Sequence, residues 1–398
     1  MPAPNHPSLQ TGFSRRMSLQ WLAGAAVSAM AGSLPARLAL AAPAVAADAQ
    51  GQRLVVVLLR GALDGLAAVP APGDPAWSGL RGAAEAAGNA SAVLPLDNTF
   101  AMHPALANLH RWYGQKELLV VHATASPYRE RSHFDAQQLL ESGGDRPFVL
   151  STGWLGRALQ ATGRPAMALT AAMPLALRGA DGASTWTPTR RPGADQDLMA
   201  RVAQMYSTDI QLAGAFAQVM GQQGMAMGAE GGPGFAGLAR QAGMFLSDPK
   251  GPRVAWLEAD GWDTHTQQAP RLTRLLGLLD DGLAALREAL GAHWGQTTVL
   301  VMTEFWRSAT FNGTEGTDHG TGAVAFVAGG AVAGGRVLAD WPGLGRNALL
   351  DGRDLRPTLD LRSVIAPVVQ RQFALSTPQL QLAVLPGARK AALELWRA

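Results

Sequence analysis

Short, uninterrupted apolar runs recur along this chain, and several are separated by stretches in which apolar residues repeat with helical spacing. The first run, Arg53–Arg60, is rich in valine and leucine, which is typical of a strand buried on both faces. Strands that alternate with helices in this way pair in parallel, because each crossover returns the chain to the same edge of the sheet. The sequence therefore predicts a three-layer α/β fold with a mostly parallel central sheet and helices on both faces.

The remaining predicted elements follow from the same patterns. Further strands are predicted at 118–122, 166–170, 174–178, 253–258, 297–302 and 323–328. Helices are predicted at 104–112, 132–142, 196–220, 235–245, 272–290 and 361–372. The stretch 221–234 contains too much glycine for a stable helix and is predicted to be a loop.

The first 46 residues have the pattern of an export signal. Arg15-Arg16 precede an apolar, alanine-rich stretch that begins at Trp21, and small residues stand at cleavage spacing at Ala44-Val-Ala46. Glycine, proline and Arg37 interrupt the apolar stretch, so no stable membrane anchor is expected after cleavage. The sequence predicts a twin-arginine signal at 1–46, contact with that export machinery, and a periplasmic or secreted protein. A single domain is expected at 47–398, with a variable, Gly/Met-rich insertion at about 179–251.

Charge and cysteine content limit the possible functions. The formal net charge is +3, and the predicted signal contains three arginines and no acidic residue, so the remainder is close to neutral. Because no cluster of lysine and arginine is present, no nucleic-acid partner is predicted. The chain has no cysteine, which excludes disulfides and thiolate ligands, so any metal must be held by oxygen and nitrogen.

Acidic residues and histidines follow or border the predicted strands. Since a parallel sheet binds ligands at the carboxyl ends of its strands, these side chains are expected to meet at one edge. The candidate metal ligands are Asp64, Asp263, His265, Glu304, Asp318 and His319. These side chains predict a bound divalent metal ion, and the candidates are zinc, magnesium, manganese and calcium. Of the adjacent residues Asp318 and His319, one is expected to bind the metal ion and the other to orient that ligand.

A second group of candidate residues stands at a predicted helix start. Ser132 can cap the helix, or it can act as a nucleophile near the free amides of the first turn. His133 is a candidate catalytic residue beside it, and Arg131 can pair with an anionic oxygen or remain solvated.

Several segments, spread in order over most of the chain, resemble a family of exported bacterial proteins called domain of unknown function 1501. They are Leu54-Val-Val-Val-Leu-Leu-Arg-Gly-Ala-Leu-Asp-Gly-Leu66, Arg131-Ser-His-Phe-Asp-Ala-Gln137, Gly153-Trp-Leu-Gly-Arg157, Gly261-Trp-Asp-Thr-His265, Thr303-Glu-Phe-Trp-Arg307, Gly316-Thr-Asp-His-Gly320, Gly334-Gly-Arg336 and Asp340-Trp-Pro-Gly-Leu344.

That family resembles the alkaline phosphatase and sulfatase superfamily, so the resemblance implies an alkaline phosphatase-like fold and a pair of divalent metals. It implies that Asp64, Asp263, His265 and His319 bind metal and that Ser132 is the nucleophile. The chain departs from the superfamily pattern where Glu304-Phe305 replaces Asp-His and where Asp263 and His265 stand closer together than usual.

Two functions are therefore compatible with the sequence. The first is a metal-dependent hydrolase of small phosphate or sulfate esters. The second is a non-catalytic periplasmic binding or assembly protein that retains the fold.

Overall fold

The computed structural model describes residues 51–82, 93–188, 196–207, 234–388 and 393–397, with Asp209, Ala213, Gly214 and Phe216 between them. The predicted export signal and nearly all of the glycine-rich stretch at 221–234 lie outside the described residues. The predicted division into a signal, one domain and an insertion therefore stays a prediction. Within the described ranges, no helix combines the length and apolarity needed to cross a membrane.

The strands form one large sheet and two small hairpin-like pairs. In the described part of the chain they are β1 Arg53–Arg60, β2 Leu94–Pro95, β3 Ala101–Met102, β4 Leu118–Ala125, β5 Ala166–Ala168, β6 Ala183–Thr185, β7 Val254–Asp260, β8 Thr297–Thr303, β9 Trp306–Arg307, β10 His319–Gly320, β11 Ala323–Ala328, β12 Arg336–Leu338 and β13 Leu359–Asp360.

The large sheet is mixed but mostly parallel. Its order is β12-β4-β11-β8-β1-β7-β5-β6, and β13 pairs with β4. Strand β1 pairs in parallel with β7 on one side and β8 on the other, while β11 is antiparallel to both of its neighbours. The predicted mostly parallel sheet is confirmed, and the reversed β11 is an addition that strand patterning does not reveal.

Alternate residues of β1 face two different hydrophobic cores. One core contains the side chains of Val55, Val57 and Leu59. The other core contains those of Leu54, Val56 and Leu58. All six side chains are at most 1% exposed, so β1 is buried on both faces, as its uninterrupted apolar run predicts.

The helices cover both faces of the sheet. In the described residues they are α1 Gly65–Ala68, α2 Ala107–Gly114, α3 His133–Ser142, α4 Trp154–Thr162, α5 Gln196–Tyr206, α6 Phe235–Ser247, α7 Gln268–Leu290, α8 Arg362–Phe373 and α9 Thr377–Gln379. Helices α2, α6 and α7 contribute to the core that contains Val55, and α4 and α8 contribute to the core that contains Val56. The predicted three-layer α/β fold is therefore confirmed.

One predicted strand is wrong. The segment predicted as a strand at 174–178 contains a short 3-10 helix, Leu175–Leu177. The amide of Ala176 donates to the carboxylate of Glu141 at 3.0 Å, and Gly153 packs directly against the backbone of this segment. These contacts occupy backbone groups of this segment that a strand would use to pair with a neighbouring strand. The apolar residues of 174–178 are therefore explained by burial and not by sheet pairing.

Candidate metal centre

The carboxyl ends of three neighbouring strands lie side by side. In the register of the sheet, Arg60 at the end of β1 is level with Asp260 at the end of β7, and Leu59 is level with Thr303 at the end of β8. Glu304 directly follows β8, and Asp263 comes three residues after β7. The sheet therefore brings these two carboxylates to the same edge.

Three imidazoles meet beside Asp263. The Nε2 atom of His319 lies 3.0 Å from Nε2 of His133 and 3.0 Å from Nε2 of His265. Oδ1 of Asp263 lies 3.2 Å from Nε2 of His319 and 3.0 Å from Nε2 of His265. One candidate ligand atom from each of His133, Asp263 and His319 lies within 4.8 Å of the others. We call His133, Asp263, His265 and His319 the histidine cluster.

The other ring nitrogen of each histidine contacts an oxygen. Nδ1 of His133 lies 2.8 Å from Oε1 of Glu304, and Nδ1 of His265 lies 3.4 Å from Oδ1 of Asp318. Nδ1 of His319 lies 3.0 Å from the backbone carbonyl oxygen of Arg131. Since these oxygens can only accept, they favour the tautomer with the proton on Nδ1, which leaves a lone pair on each Nε2.

This donor set fits a divalent cation. Lone pairs on facing Nε2 atoms repel one another unless a proton or a cation lies between them. Ligand atoms about 2.0–2.1 Å from one tetrahedral zinc ion lie about 3.3–3.4 Å apart, slightly farther than the contacts of 3.0–3.2 Å in the histidine cluster. The predominance of nitrogen favours zinc or another transition metal over magnesium and calcium, which prefer oxygen.

Glu304 supports His133 and is itself fully hydrogen-bonded. Its Oε1 accepts from the amide of Gly61 at 2.7 Å and from the Gln137 side chain at 2.9 Å, in addition to His133. Its Oε2 accepts from the Thr303 hydroxyl at 3.0 Å. Burial acts to raise the pKa of Glu304, but the hydrogen bonds, led by that from His133, hold this pKa below its usual value. The predicted metal ligand is therefore placed as the carboxylate that orients His133.

Asp263 pairs with a buried arginine as well as with the histidines. The guanidinium of Arg307, whose side chain is 0% exposed, donates to Oδ1 of Asp263 and to the backbone carbonyl of Thr317. Burial acts to raise the pKa of Asp263, and the hydrogen bond and charge of Arg307 outweigh it, so this pKa is lowered. Asp263 is therefore ionised at neutral pH, as a metal ligand must be.

The three histidines differ in their surroundings. Burial acts to lower the pKa of His133, yet the hydrogen bond and charge of Glu304 raise it overall. Burial lowers the pKa of His319, and the neighbouring His133 adds to that effect. The Asn312 side chain donates to Asp318 at 3.1 Å, and this bond is the main cause of the lowered pKa of Asp318. Asp318 is thus an ionised partner for His265.

Asp64 and Arg131 have other partners than those predicted. Asp64 is buried and forms an ion pair with Arg81 at 2.8 Å, so the structure gives its carboxylate a protein cation where a metal was predicted. The guanidinium of Arg131 donates to the buried Asp354 at 2.8 Å and not toward the histidine cluster. Arg131 instead contacts the histidine cluster through its backbone carbonyl, which lies against Nδ1 of His319. The backbone of Arg131 has a positive φ of 63°.

Ser132 occupies the N-cap position of α3, as the sequence predicts. Its side chain makes no capping bond to the helix, and its amide donates to the Tyr128 hydroxyl at 3.3 Å. Because His133 is the first residue of α3, Ser132 is next in the chain to a member of the histidine cluster. The start of α3 therefore places a serine directly before the first histidine of the cluster in the chain.

Arg81, Arg307 and Gln268 are buried polar residues of this region that the candidate list omits. Arg307 lies in one of the segments that carry the family resemblance, beside apolar residues that are buried in the structure. A charged residue in such a segment is a sequence signal that could have identified Arg307 as part of the site. Arg81 and Gln268 have no such signal, because their partners depend on contacts between distant parts of the chain.

Three solved structures illustrate what this chain is similar to. The zinc-bound C-terminal periplasmic domain of EcEptC from Escherichia coli is 10% identical, with a TM-score of 0.36 and coverage of 70% of this chain and 73% of that one. A 2-O GAG sulfatase is 12% identical, with a TM-score of 0.38 and coverage of 82% and 71%. A mutant of TAB5 alkaline phosphatase with Mg bound in its M3 site is 12% identical, with a TM-score of 0.35 and coverage of 70% and 90%. Likeness at this level does not transfer an activity.

Sequence comparison gives the family directly. No curated protein matches this chain. The family model described as "Protein of unknown function (DUF1501)" matches residues 115–384, which is more than half of the 398 residues. The match covers all of the histidine cluster and both carboxylates that orient it. This chain belongs to the DUF1501 family.

Proposed function

We propose that this protein is a metal-dependent hydrolase of small phosphate or sulfate esters. The observation that carries the proposal is the convergence of three imidazole Nε2 atoms beside Asp263, each ring being fixed from behind by an oxygen. A divalent ion held there would supply Lewis acidity toward a phosphoryl or sulfuryl oxygen. The side chains of Asp263 and His265 are both 42% exposed, so a small anionic substrate has access to the cluster.

The proposed reaction assigns a separate role to each group of residues in the site. His133, Asp263, His265 and His319 hold the metal, and Glu304 and Asp318 keep their imidazoles in the binding tautomer. The start of α3 favours an anionic group because of the helix dipole and because the first turn of a helix leaves N–H groups without intrahelical partners. Ser132, at that position, is the proposed nucleophile.

The test combines metal analysis with turnover. Purified protein should contain a stoichiometric transition metal, and it should hydrolyse a generic phosphate or sulfate monoester. Ser132→Ala should remove turnover and leave the metal content unchanged, whereas His319→Ala should lose both. Metal-replete protein that turns over no such ester would exclude the hydrolase.

A non-catalytic binding protein is the second candidate. The observation that favours it is that the predicted ligands Asp64 and Glu304 both have their oxygens occupied by protein donors. In that case Ser132→Ala should leave every property unchanged, while metal content should still depend on His319.

We further propose that the protein is exported by the twin-arginine pathway. The support is the Arg15-Arg16 pair before an apolar stretch, which lies outside the described residues. Replacement of both arginines by lysine should retain the protein in the cytoplasm, as cell fractionation would show. Export of the double-lysine variant at the normal level would refute this route.

A further inference from the structure

The carboxylate of Asp64 is saturated by donors from the protein. Its Oδ2 accepts from Nη1 of Arg81 at 2.8 Å and from Nε2 of Gln268 at 2.7 Å. Its Oδ1 accepts from Nη2 of Arg81 at 3.3 Å and from the amide of Ala67 at 3.1 Å. A carboxylate offers about four lone-pair positions, so none remains for a metal ion.

Arg81 is fixed in place from its other side. Its Nε donates to the carbonyl of Ala309 at 2.6 Å, and its Nη2 donates to the carbonyl of Ser308 at 2.8 Å. The guanidinium also lies over the ring of Phe311, 4.8 Å from the ring centre. Since the side chain is 0% exposed, moving it aside would leave a charge buried without partners.

A chain of buried hydrogen bonds joins this ion pair to the histidine cluster. Gln268, which donates to Asp64, accepts from the hydroxyl of Thr317 at 2.5 Å. Thr317 in turn accepts from Nε of Arg307 at 3.2 Å, and Arg307 pairs with Asp263. The carboxylates of Asp64, after β1, and Asp263, after β7, therefore each pair with a buried guanidinium.

We propose that the centre binds a single metal ion, and that Arg81 supplies at Asp64 the positive charge that a second ion would otherwise provide. The inference rests on the metal centre proposed above. Burying a carboxylate is costly unless it is paired and hydrogen-bonded, and Arg81 supplies both a positive charge and two hydrogen bonds to Asp64. A second ion would have to displace this guanidinium and overcome its repulsion.

The test is the number of zinc ions bound by the full chain after chelator treatment, measured by calorimetric titration and by elemental analysis. One ion per chain is the expected result. Two ions per chain would overturn the single-ion centre and leave the metal-dependent function standing. No bound zinc would overturn the metal centre, and this inference with it.

Substitutions at Asp64 and Asp263 distinguish the contributions of the two carboxylates to zinc binding. Asp64→Leu combined with Arg81→Met removes both buried charges together and replaces them by apolar side chains of similar volume, although the carbonyls of Ala309 and Ser308 lose their donor. This double variant should still bind one zinc, with affinity within about fivefold of the original, because Asp64 reaches the histidine cluster only through the intervening Gln268, Thr317 and Arg307. Asp263→Asn should weaken zinc binding by about tenfold or more. Loss of zinc from a folded double variant, judged by circular dichroism, would refute the assignment of Asp64 to Arg81.

Discussion

Replacement of Glu304 by glutamine tests whether this buried carboxylate tunes the histidine cluster. Glutamine has nearly the same shape, and its carbonyl oxygen can still accept from His133, Gly61 and Gln137. Its amide can donate to the hydroxyl oxygen of Thr303, whose proton is available to the carbonyl of Leu59 at 2.8 Å. The variant should therefore fold and lose mainly the negative charge behind His133.

The magnitude follows from the hydrogen bond of 2.8 Å between His133 and Glu304. A hydrogen bond to a charged group contributes about 1.5–3 kcal/mol, and a neutral one about 0.5–1.5 kcal/mol. The difference between corresponding ends of these ranges, about 1–1.5 kcal/mol, corresponds to about five- to twelvefold weaker zinc binding. The assay is competition between the protein and a chromophoric chelator at neutral pH.

Glu258→Gln is the matched control. Glu258 lies near the end of β7, where its carboxylate pairs with Arg60 at 2.7 Å and accepts from the indole of Trp256, and within the described part of the chain it forms no hydrogen bond with the histidine cluster. Its replacement removes one negative charge from the same sheet edge, and because Glu258 reaches Glu304 only through Arg60 and Gln137, it should weaken zinc binding clearly less than Glu304→Gln does. Unaltered zinc affinity in Glu304→Gln, or an equal loss in both variants, would refute the role given to Glu304.

Two further predictions concern stability. Burial lowers the pKa of His122 to about 4, so below pH 6.5 the unfolded chain binds a proton that the folded chain does not. The stability linked to His122 is present above pH 6.5 and should fall by up to about 3 kcal/mol toward pH 4. His122→Gln, whose side chain can still donate to the Val69 carbonyl, should reduce this loss of stability at low pH, as measured by denaturant titrations at several pH values. The same pH dependence of stability in the variant and the original protein would contradict the role given to His122. Gly153→Ala would place a Cβ 2.1 Å from the carbonyl oxygen of Ala176 and should cost about 1–3 kcal/mol. Gly114→Ala, with open space around its Cβ, should change the unfolding midpoint little, and equal midpoints for the two variants would refute the packing argument.

The strands were predictable because their burial follows from a local pattern. An apolar run such as Arg53–Arg60 can be satisfied only by burial on both faces, and the acidic residue after β8 then has to stand at the sheet edge. The direction of β11 was not predictable, because an antiparallel neighbour depends on pairing between strands far apart in sequence.

The roles within the candidate site needed the fold. His133 and Glu304 stand 171 positions apart, so the hydrogen bond between them has no local signature. The same holds for His319, whose ring is fixed by a carbonyl 188 positions away.

By itself, the sequence determined the class of fold, the sheet edge at which acidic residues and histidines gather, and the absence of thiolate chemistry. Only the tertiary structure decided that His133 lies against His319, that Glu304 hydrogen-bonds to His133, and that Asp64 pairs with Arg81. The physical reason is that burial and strand spacing act on neighbouring residues, whereas hydrogen-bond and charge partners come from distant parts of the folded chain. The apolar runs thus predict where a centre can form, and long-range contacts determine which residues compose it.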